Sequence, residues 1–277
     1  MPAQRRFGMD HEHYDWSPIS TRDVLRWPND AQLALVAIVN LEHMEWSAPQ
    51  GSYQPANLAG GSTARPFPDY ARISHREYGH RVGIFRVLDV LQKYNIKPTL
   101  AVDALTAKHY PYLMDYCIKR DCEFVAHGIS VSQMITSNMS VDEELEYIRE
   151  SMSSIKRVTG TDPLGWFGPE YGESERTPQL LAKSNIRYVC DWANDEQPYP
   201  LKSPEGELTA LPVMIELDDV IAMSHRRVNV DRYADMLTES FEVLYENGAD
   251  NGRLMVLNLH PWLIGQPFRI KYLDEAL

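Results

Sequence analysis

Leu257-Asn258-Leu259-His260-Pro261-Trp262 ends an apolar run, 254–259, on a histidine and then a proline. Proline donates no backbone hydrogen bond, so a central strand stops there. The imidazole of His260 is therefore expected at the C-terminal tip of a buried strand, where α/β folds keep their chemistry. Two more apolar runs finish in the same way. The run 33–41 meets Glu42 and His43, and the run 123–126 meets His127. Three strand tips carrying proton-transfer or metal-binding groups predict an enzyme.

Between these tips strands and helices alternate. Val82, Phe85, Leu88 and Leu91 share one face of a helix over 76–95. A strand at 98–102 follows, then a helix at 112–119 leading to the strand at 123–126. Ser140 and Glu143 form a capping box for a helix whose apolar stripe is Leu145, Ile148, Met152 and Ile155, closed by Gly160. Next come a strand at 164–167, a helix from Thr177-Pro178 and a strand at 187–190. Segments 207–215 and 220–224 read as strands joined by a turn at Asp218-Asp219. Asp231 then caps a helix carrying Tyr233, Met236, Leu237, Phe241 and Leu244. This alternation predicts an α/β fold with one parallel sheet and outer helices. Seven or eight such strands favour a barrel, with every βα loop opening on one face. Residues 1–30 read as an N-terminal arm and 31–277 as a single barrel domain. The irregular stretch 44–75 predicts a lid, a binding loop or an oligomer arm beside Glu42.

The 277 residues carry a net charge of −12, which argues against nucleic acid or an anionic membrane as partner. No apolar run approaches the roughly 20 residues of a membrane helix. The polar segment 1–15 lacks the core of a secretory signal. Three cysteines, Cys117, Cys122 and Cys190, include no Cys-x-x-Cys pair, which predicts reduced thiols and a cytoplasmic location. Ile270, Leu273 and Leu277 begin an amphipathic pattern, so a native chain extending beyond Leu277 is an open expectation.

Desolvation near Trp46 would raise the Glu42 carboxyl toward the range of a general base, the alternative being a solvated loop glutamate. His43 and His127 have metal-ligand chemistry, against the alternative of hydrogen-bonded core histidines. Gly128 would let a substrate or ion approach the backbone. Trp166-Phe167-Gly168-Pro169-Glu170-Tyr171 places aromatics and a carboxylate at another strand end, or is a packed turn. Asp191-Trp192-Ala193-Asn194 loads a further tip with polar groups, or is a solvated acidic loop. Arg269 would bind a substrate carboxylate bidentately, a structural ion pair being the alternative. Asp218-Asp219 reads most simply as a hairpin turn, His11 and His13 as a polar tail able to pack on another subunit, and His75, His80, His109 and His225 as structural.

Together these strand-end groups resemble the polysaccharide deacetylase superfamily with its NodB-like domain. Within it they resemble the branch of metal-independent bacterial allantoinase and cyclic imide hydrolases. The resemblance runs from Trp27-Pro28-Asn29-Asp30 to Gly265-Gln266-Pro267-Phe268-Arg269. It implies a distorted (β/α) barrel of about seven parallel strands and hydrolysis of a carbon–nitrogen bond other than a peptide. Asn40-Leu41-Glu42-His43 occupies the family's first motif, with Glu42 inheriting the base role and His43 standing where sugar deacetylases hold a metal-binding aspartate. His127 matches the first histidine of the second motif, but Val131 stands where the second belongs. The third motif lacks its arginine at Phe167-Gly168-Pro169-Glu170-Tyr171. Asp191-Trp192 resembles the fourth motif, and Asn258-Leu259-His260 matches the fifth loosely, with Asn258 in place of a leucine. The departures count against a metal and a sugar substrate, and the run from His260-Pro261 through Gly265-Gln266-Pro267 to Arg269, with Gly168-Pro169-Glu170, resembles the small-amide branch instead.

The expected protein is thus an amidohydrolase that opens a small cyclic amide, imide or ureide. Glu42 and His260 are its catalytic pair. Trp166, Glu170, Tyr171, Asp191, Trp192, Asn194 and Arg269 bind substrate. His43 and His127 are the metal candidates, and the cofactor is either none or a single divalent metal such as zinc. The partner is a small molecule, and the resemblance implies a homo-oligomer, with a tetramer as one option. An N-deacetylase of an acetylated carbohydrate and an inactive barrel serving as a binding protein are the alternatives.

Overall fold

The computed structural model describes residues 10–47, 49–50, 52 and 68–277. In chain order the elements are β1 (Leu33–Leu41), α1 (Tyr70–Tyr78), α2 (Ile84–Lys93), β2 (Pro98–Val102), α3 (Ala104–His109), α4 (Pro111–Ile118) and β3 (Glu123–Ala126). There follow α5 (Val141–Thr159), β4 (Gly165–Trp166), α6 (Thr177–Lys183), β5 (Tyr188–Val189), β6 (Tyr199–Leu201), β7 (Leu208–Ala210), α7 (Val230–Gly248), β8 (Arg253–Leu259) and α8 (Ile270–Ala276). One sheet orders the strands β6-β7-β5-β4-β3-β2-β1-β8. Seven are mutually parallel, and β6 alone runs antiparallel, against β7.

β2 and β8 are buried throughout, and β1 over its C-terminal half, as strands covered on both faces must be. The helices bury one face each. α2 contributes Ile84, Val87, Leu88 and Leu91 to a core shared with Val39, Leu100 and Leu257. The sheet curls until its ends approach. The Leu254 N–H donates to Glu196 O at 2.8 Å, and Gln197 Nε2 donates to Gly252 O at 2.7 Å. The segment just before β6 thus bridges back to the start of β8, giving the expected distorted barrel.

Local signals held where a cap or a glycine anchored them. Ser140 and Glu143 form a reciprocal capping box on α5, and Gly160 ends that helix at φ 79°. The expected helix over 76–95 differs: α1 starts earlier, capped by Asp69, and the chain widens into a π turn at Gly79–Gly83 before α2. Close packing explains the wide turn. A Cβ at Gly83 would stand 2.0 Å from Pro261 O, and one at Gly79 would stand 2.9 Å from Trp262 N. The π turn therefore lets the helix press onto the segment after β8, a device often found at functional sites.

The pair of strands expected around Asp218-Asp219 does not form. Only Leu208–Ala210 is strand, paired with β6, and Val220–His225 is π-helical. Short apolar runs do not distinguish strand from helix by periodicity, and here the helical solution won. Much of the 44–75 stretch lies outside the described residues, and its end is α1. The arm packs on its own chain: Trp27 Nε1 donates to Arg253 O at 2.7 Å, and Arg22 pairs with Asp195 at 2.5 Å. Tyr14 and His13 pack against Trp192. No described helix is long and apolar enough to cross a membrane.

Candidate active site

Parallel pairing places the tips of β8, β1, β2, β3 and β4 side by side, since Leu41 registers with Val102, Val102 with Ala126 and Val39 with Leu259. Glu42 follows β1 and is buried. Arg76 Nη1, from α1, donates to its Oε2 at 2.5 Å, and His127 Nε2 lies 3.5 Å from its Oε1. His127 is fixed from behind by a hydrogen bond from Nδ1 to Phe167 O. Burial pushes the Glu42 carboxyl up, but Arg76, with His127 and His260, overrides this and holds it well below the usual carboxylate range. The expected raised pKa is thus corrected. Trp46 is exposed and donates to Glu77 instead of shielding Glu42. An ion pair decides where desolvation alone would have pushed the other way.

His260 follows β8. Its backbone N–H donates to Asp219 Oδ2 at 2.9 Å and its Nδ1 to Asp219 Oδ1 at 2.6 Å. Burial pushes the imidazole down, yet Asp219 and Asp218 lift it to about 9, so it is an imidazolium at neutral pH. With Nδ1 engaged, Nε2 remains for a substrate. Asp218 holds the support in place. It accepts from Tyr171 Oη and Asn258 Nδ2, each at 2.6 Å, and from the Val220 and Ile221 N–H groups. Asn40 Nδ2 donates to Asn258 Oδ1 at 2.6 Å. Asp218-Asp219 is therefore no hairpin turn but the buried support of His260. The sequence did carry a signal in Asn40 and Asn258, amides inside otherwise apolar buried strands that demand buried partners.

Glu42 and His260 are linked through Trp262. Arg76 lies 5.0 Å from the Trp262 ring centroid, and the His260 ring is 6.1 Å away. Glu170 stands at the same place, its Oε1 3.7 Å from Arg76 Nη2, on a turn where Glu170 and Tyr171 both take left-handed φ. The guanidinium at this site therefore comes from α1. Nothing in the local pattern around 70–78 announced it, because Arg76 reaches Glu42 only across the barrel mouth.

Other expected site residues fall elsewhere. Trp166 is fully buried in the core beside Tyr147, because it is the strand residue and Phe167 the one at the tip. Trp192 packs under the arm, and Asn194 Oδ1 accepts from Tyr199 Oη at 2.7 Å along a cleft of about 950 Å³ beside the arm. Neither reaches Glu42. Asp191 is a brace: it accepts the Gly168 N–H at 2.7 Å and lies against Glu173. As two carboxylates they would leave Glu173 Oε1 and Asp191 Oδ2 without donors. Burial and Asp191 push Glu173 up to about 10, so a proton held there supplies the missing donor. Gly128, at φ 66°, serves packing and not ligand access, since a Cβ would stand 2.1 Å from Tyr147 Oη. Arg269 is half-buried near His75 and makes no ion pair among the described residues.

The residues do not fit the metal centre that the resemblance implies. His43 turns its ring to Tyr110, 3.2 Å from its Oη, and toward His109. Both nitrogens of His127 face fixed partners, and Val131 packs with Met44 and Ile73. Arg76 already sets a positive charge beside Glu42. Among the described residues Asp218, Asp219 and His260 lie close enough to share an ion. Their ligand atoms are occupied by the hydrogen bonds given above, so the trio reads as a proton-bonded support.

The polysaccharide deacetylase family model matches residues 77–189. A Schizosaccharomyces pombe protein named "Putative polysaccharide deacetylase" is 24% identical over 92% of this chain and 86% of its own. The Helicobacter pylori peptidoglycan deacetylase is 29% identical over 46% of this chain and 43% of its own. The crystal structure of Puue allantoinase superposes with a TM-score of 0.81 at 24% identity, covering 93% of this chain and 87% of that one. That likeness establishes the NodB-like fold with its curled, mostly parallel sheet.

Proposed function

We propose that the protein opens a small cyclic amide, imide or ureide by hydrolysis. The observation that carries this reading is the pairing of a carboxylate held ionised, Glu42, with an imidazolium held protonated, His260, at adjacent strand tips. Glu42 takes a proton from water while the water oxygen bonds to the ring carbonyl carbon. The carbon–nitrogen bond then breaks as His260 delivers its Nε2 proton to the departing nitrogen. Glu170 and Tyr171 border the site and orient the ring. General acid catalysis of this kind contributes roughly 10²- to 10⁴-fold in rate.

The low basicity of Glu42 selects the substrate class. A weak base needs an electrophilic carbonyl, and an imide or ureide shares the leaving nitrogen's charge with a second carbonyl. A sugar acetamide is less activated and benefits from a metal's Lewis acidity, for which the described residues offer no fitting ligand set. The two deacetylases among the relatives favour the second reading, an N-deacetylase of an acetylated carbohydrate. A hydrolysis panel tests both: succinimide, hydantoin, allantoin and an acetylated chito-oligosaccharide, on chelator-treated enzyme with and without added zinc. Ring opening that survives chelation is expected. Activity confined to the oligosaccharide and to added zinc refutes the ring-opening reading.

A further inference from the structure

Four cationic side chains gather at the barrel mouth of a chain whose net charge is −12. Two have carboxylate partners that explain them: Arg76 with Glu42, and His260 with Asp219. The other two do not. Arg72 lies one turn before Arg76 on the same face of α1 and is half-buried, close enough to Arg76, Glu170, Asp69 and Glu42 to feel their charges. Its guanidinium makes no hydrogen bond or ion pair among the described residues. Arg269 enters from the segment after β8. Its Nη1 reaches only Leu263 O, at 3.4 Å, its guanidinium carbon lies 4.7 Å from the Phe268 ring centroid, and its Nε is buried without an acceptor. Its charge is felt by His75, whose ring meets Trp262 edge-on at 5.2 Å, and by Asp219.

A half-buried guanidinium without an anion in direct contact is costly, because desolvation is only partly offset by more distant carboxylates. A structural ion pair would remove that cost, and none forms. Lysine in these positions could reach out to water, whereas the planar guanidinium fork suits a carboxylate held in place.

We propose that Arg269 receives a carboxylate carried by the substrate, with Arg72 a second unpaired guanidinium at the same mouth, so that the ring opened at Glu42 and His260 is anionic. This rests on the ring-opening reading and narrows it to carboxylated cyclic amides, imides or ureides.

Matched probes test it: dihydroorotate against dihydrouracil, and hydantoin-5-acetate against hydantoin, each pair differing in a carboxylate-bearing substituent. In at least one pair the carboxylated ring is expected to have a kcat/KM about 10- to 100-fold higher, the usual effect of a charge-assisted hydrogen-bonded pair. That ratio falls toward one in Arg269→Leu and in Arg72→Leu, mainly through KM, and is intermediate in Arg269→Lys. Thermal melting checks that each variant folds, and should Arg269→Leu fail, Arg72→Leu and Arg269→Lys carry the comparison. A ratio of one or below in the unaltered enzyme, or a ratio that both leucine variants leave intact, overturns the proposal while ring opening stands. If no ring is opened, calorimetry with hydantoin-5-acetate separates the two ideas. Binding that depends on Arg269 upholds the anion site and removes the ring-opening reading, and its absence overturns the anion site as well.

Discussion

Arg76→Met removes one member of a buried ion pair whose side chains are only 9% and 5% exposed, with 2.5 Å between Nη1 and Oε2. The carboxylate left behind is desolvated, with His127 3.5 Å away as its remaining neighbour. Breaking such a pair from one side costs about 3–5 kcal/mol. The loss should depend on pH with a definite sign. In the unaltered protein the folded-state pKa of Glu42 is depressed, so its contribution is present above the unfolded value and persists to low pH before protonation removes it. In the variant, burial acts without Arg76 and pushes the carboxyl above its unfolded value. The penalty is then greatest at neutral pH and shrinks as the pH falls and Glu42 takes a proton. Urea unfolding at pH 7.5 and pH 5 measures this as a shift in midpoint at constant slope. The Glu42→Gln/Arg76→Met double variant, which leaves neither charge unpaired, should be more stable than Arg76→Met alone by about 2 kcal/mol or more, a coupling that a double-mutant cycle isolates. Equal losses at both pH values, together with additive single effects, would falsify the account of Glu42 as a carboxylate held ionised by Arg76.

Glu42→Gln and His260→Ala should each retain the native circular dichroism spectrum while losing turnover by roughly 10²- to 10⁴-fold; near-normal rates in both would remove the assigned roles. His260 is raised to about 9, so kcat should fall on the alkaline side as the pH rises through that region, and the imidazolium's stabilising contribution, full below its ordinary value, should fade over the same interval. Asp219→Asn removes the main raising charge and should move that limb to lower pH; an unmoved limb assigns it to another group. Gly128→Ala combines an unfavourable φ with a collision at Tyr147 and should lower the urea midpoint without altering the pH profile.

The strands that could be read from sequence were the mainly apolar runs of four or more residues. The expected bounds of β1, β2 and β3 agree with those observed, because burial toward their C-terminal ends leaves an apolar run that a polar tip, Glu42, Asp103 or His127, ends. The two- and three-residue strands β4 to β7 were blurred, since so short an element carries no period. Glu42, His127 and His260 could be singled out because each follows such a run directly. Arg76, Asp218, Asp219 and Glu173 could not, for their meaning lies in a partner tens of residues away. Asn194 and Trp192 were expected at the site because they follow Asp191 in sequence, but beyond a strand tip the chain turns, and these two turned toward the arm.

Amino-acid order alone determined that parallel strands would end on a carboxylate and two imidazoles at one mouth, because apolar continuity forces burial and burial forces the polar tips outward. Tertiary structure alone decided the charge on those groups. Glu42 met a guanidinium from α1 and His260 met a carboxylate from the segment before α7, and over a few ångströms in a dry setting such neighbours outweigh the desolvation that sequence context suggests.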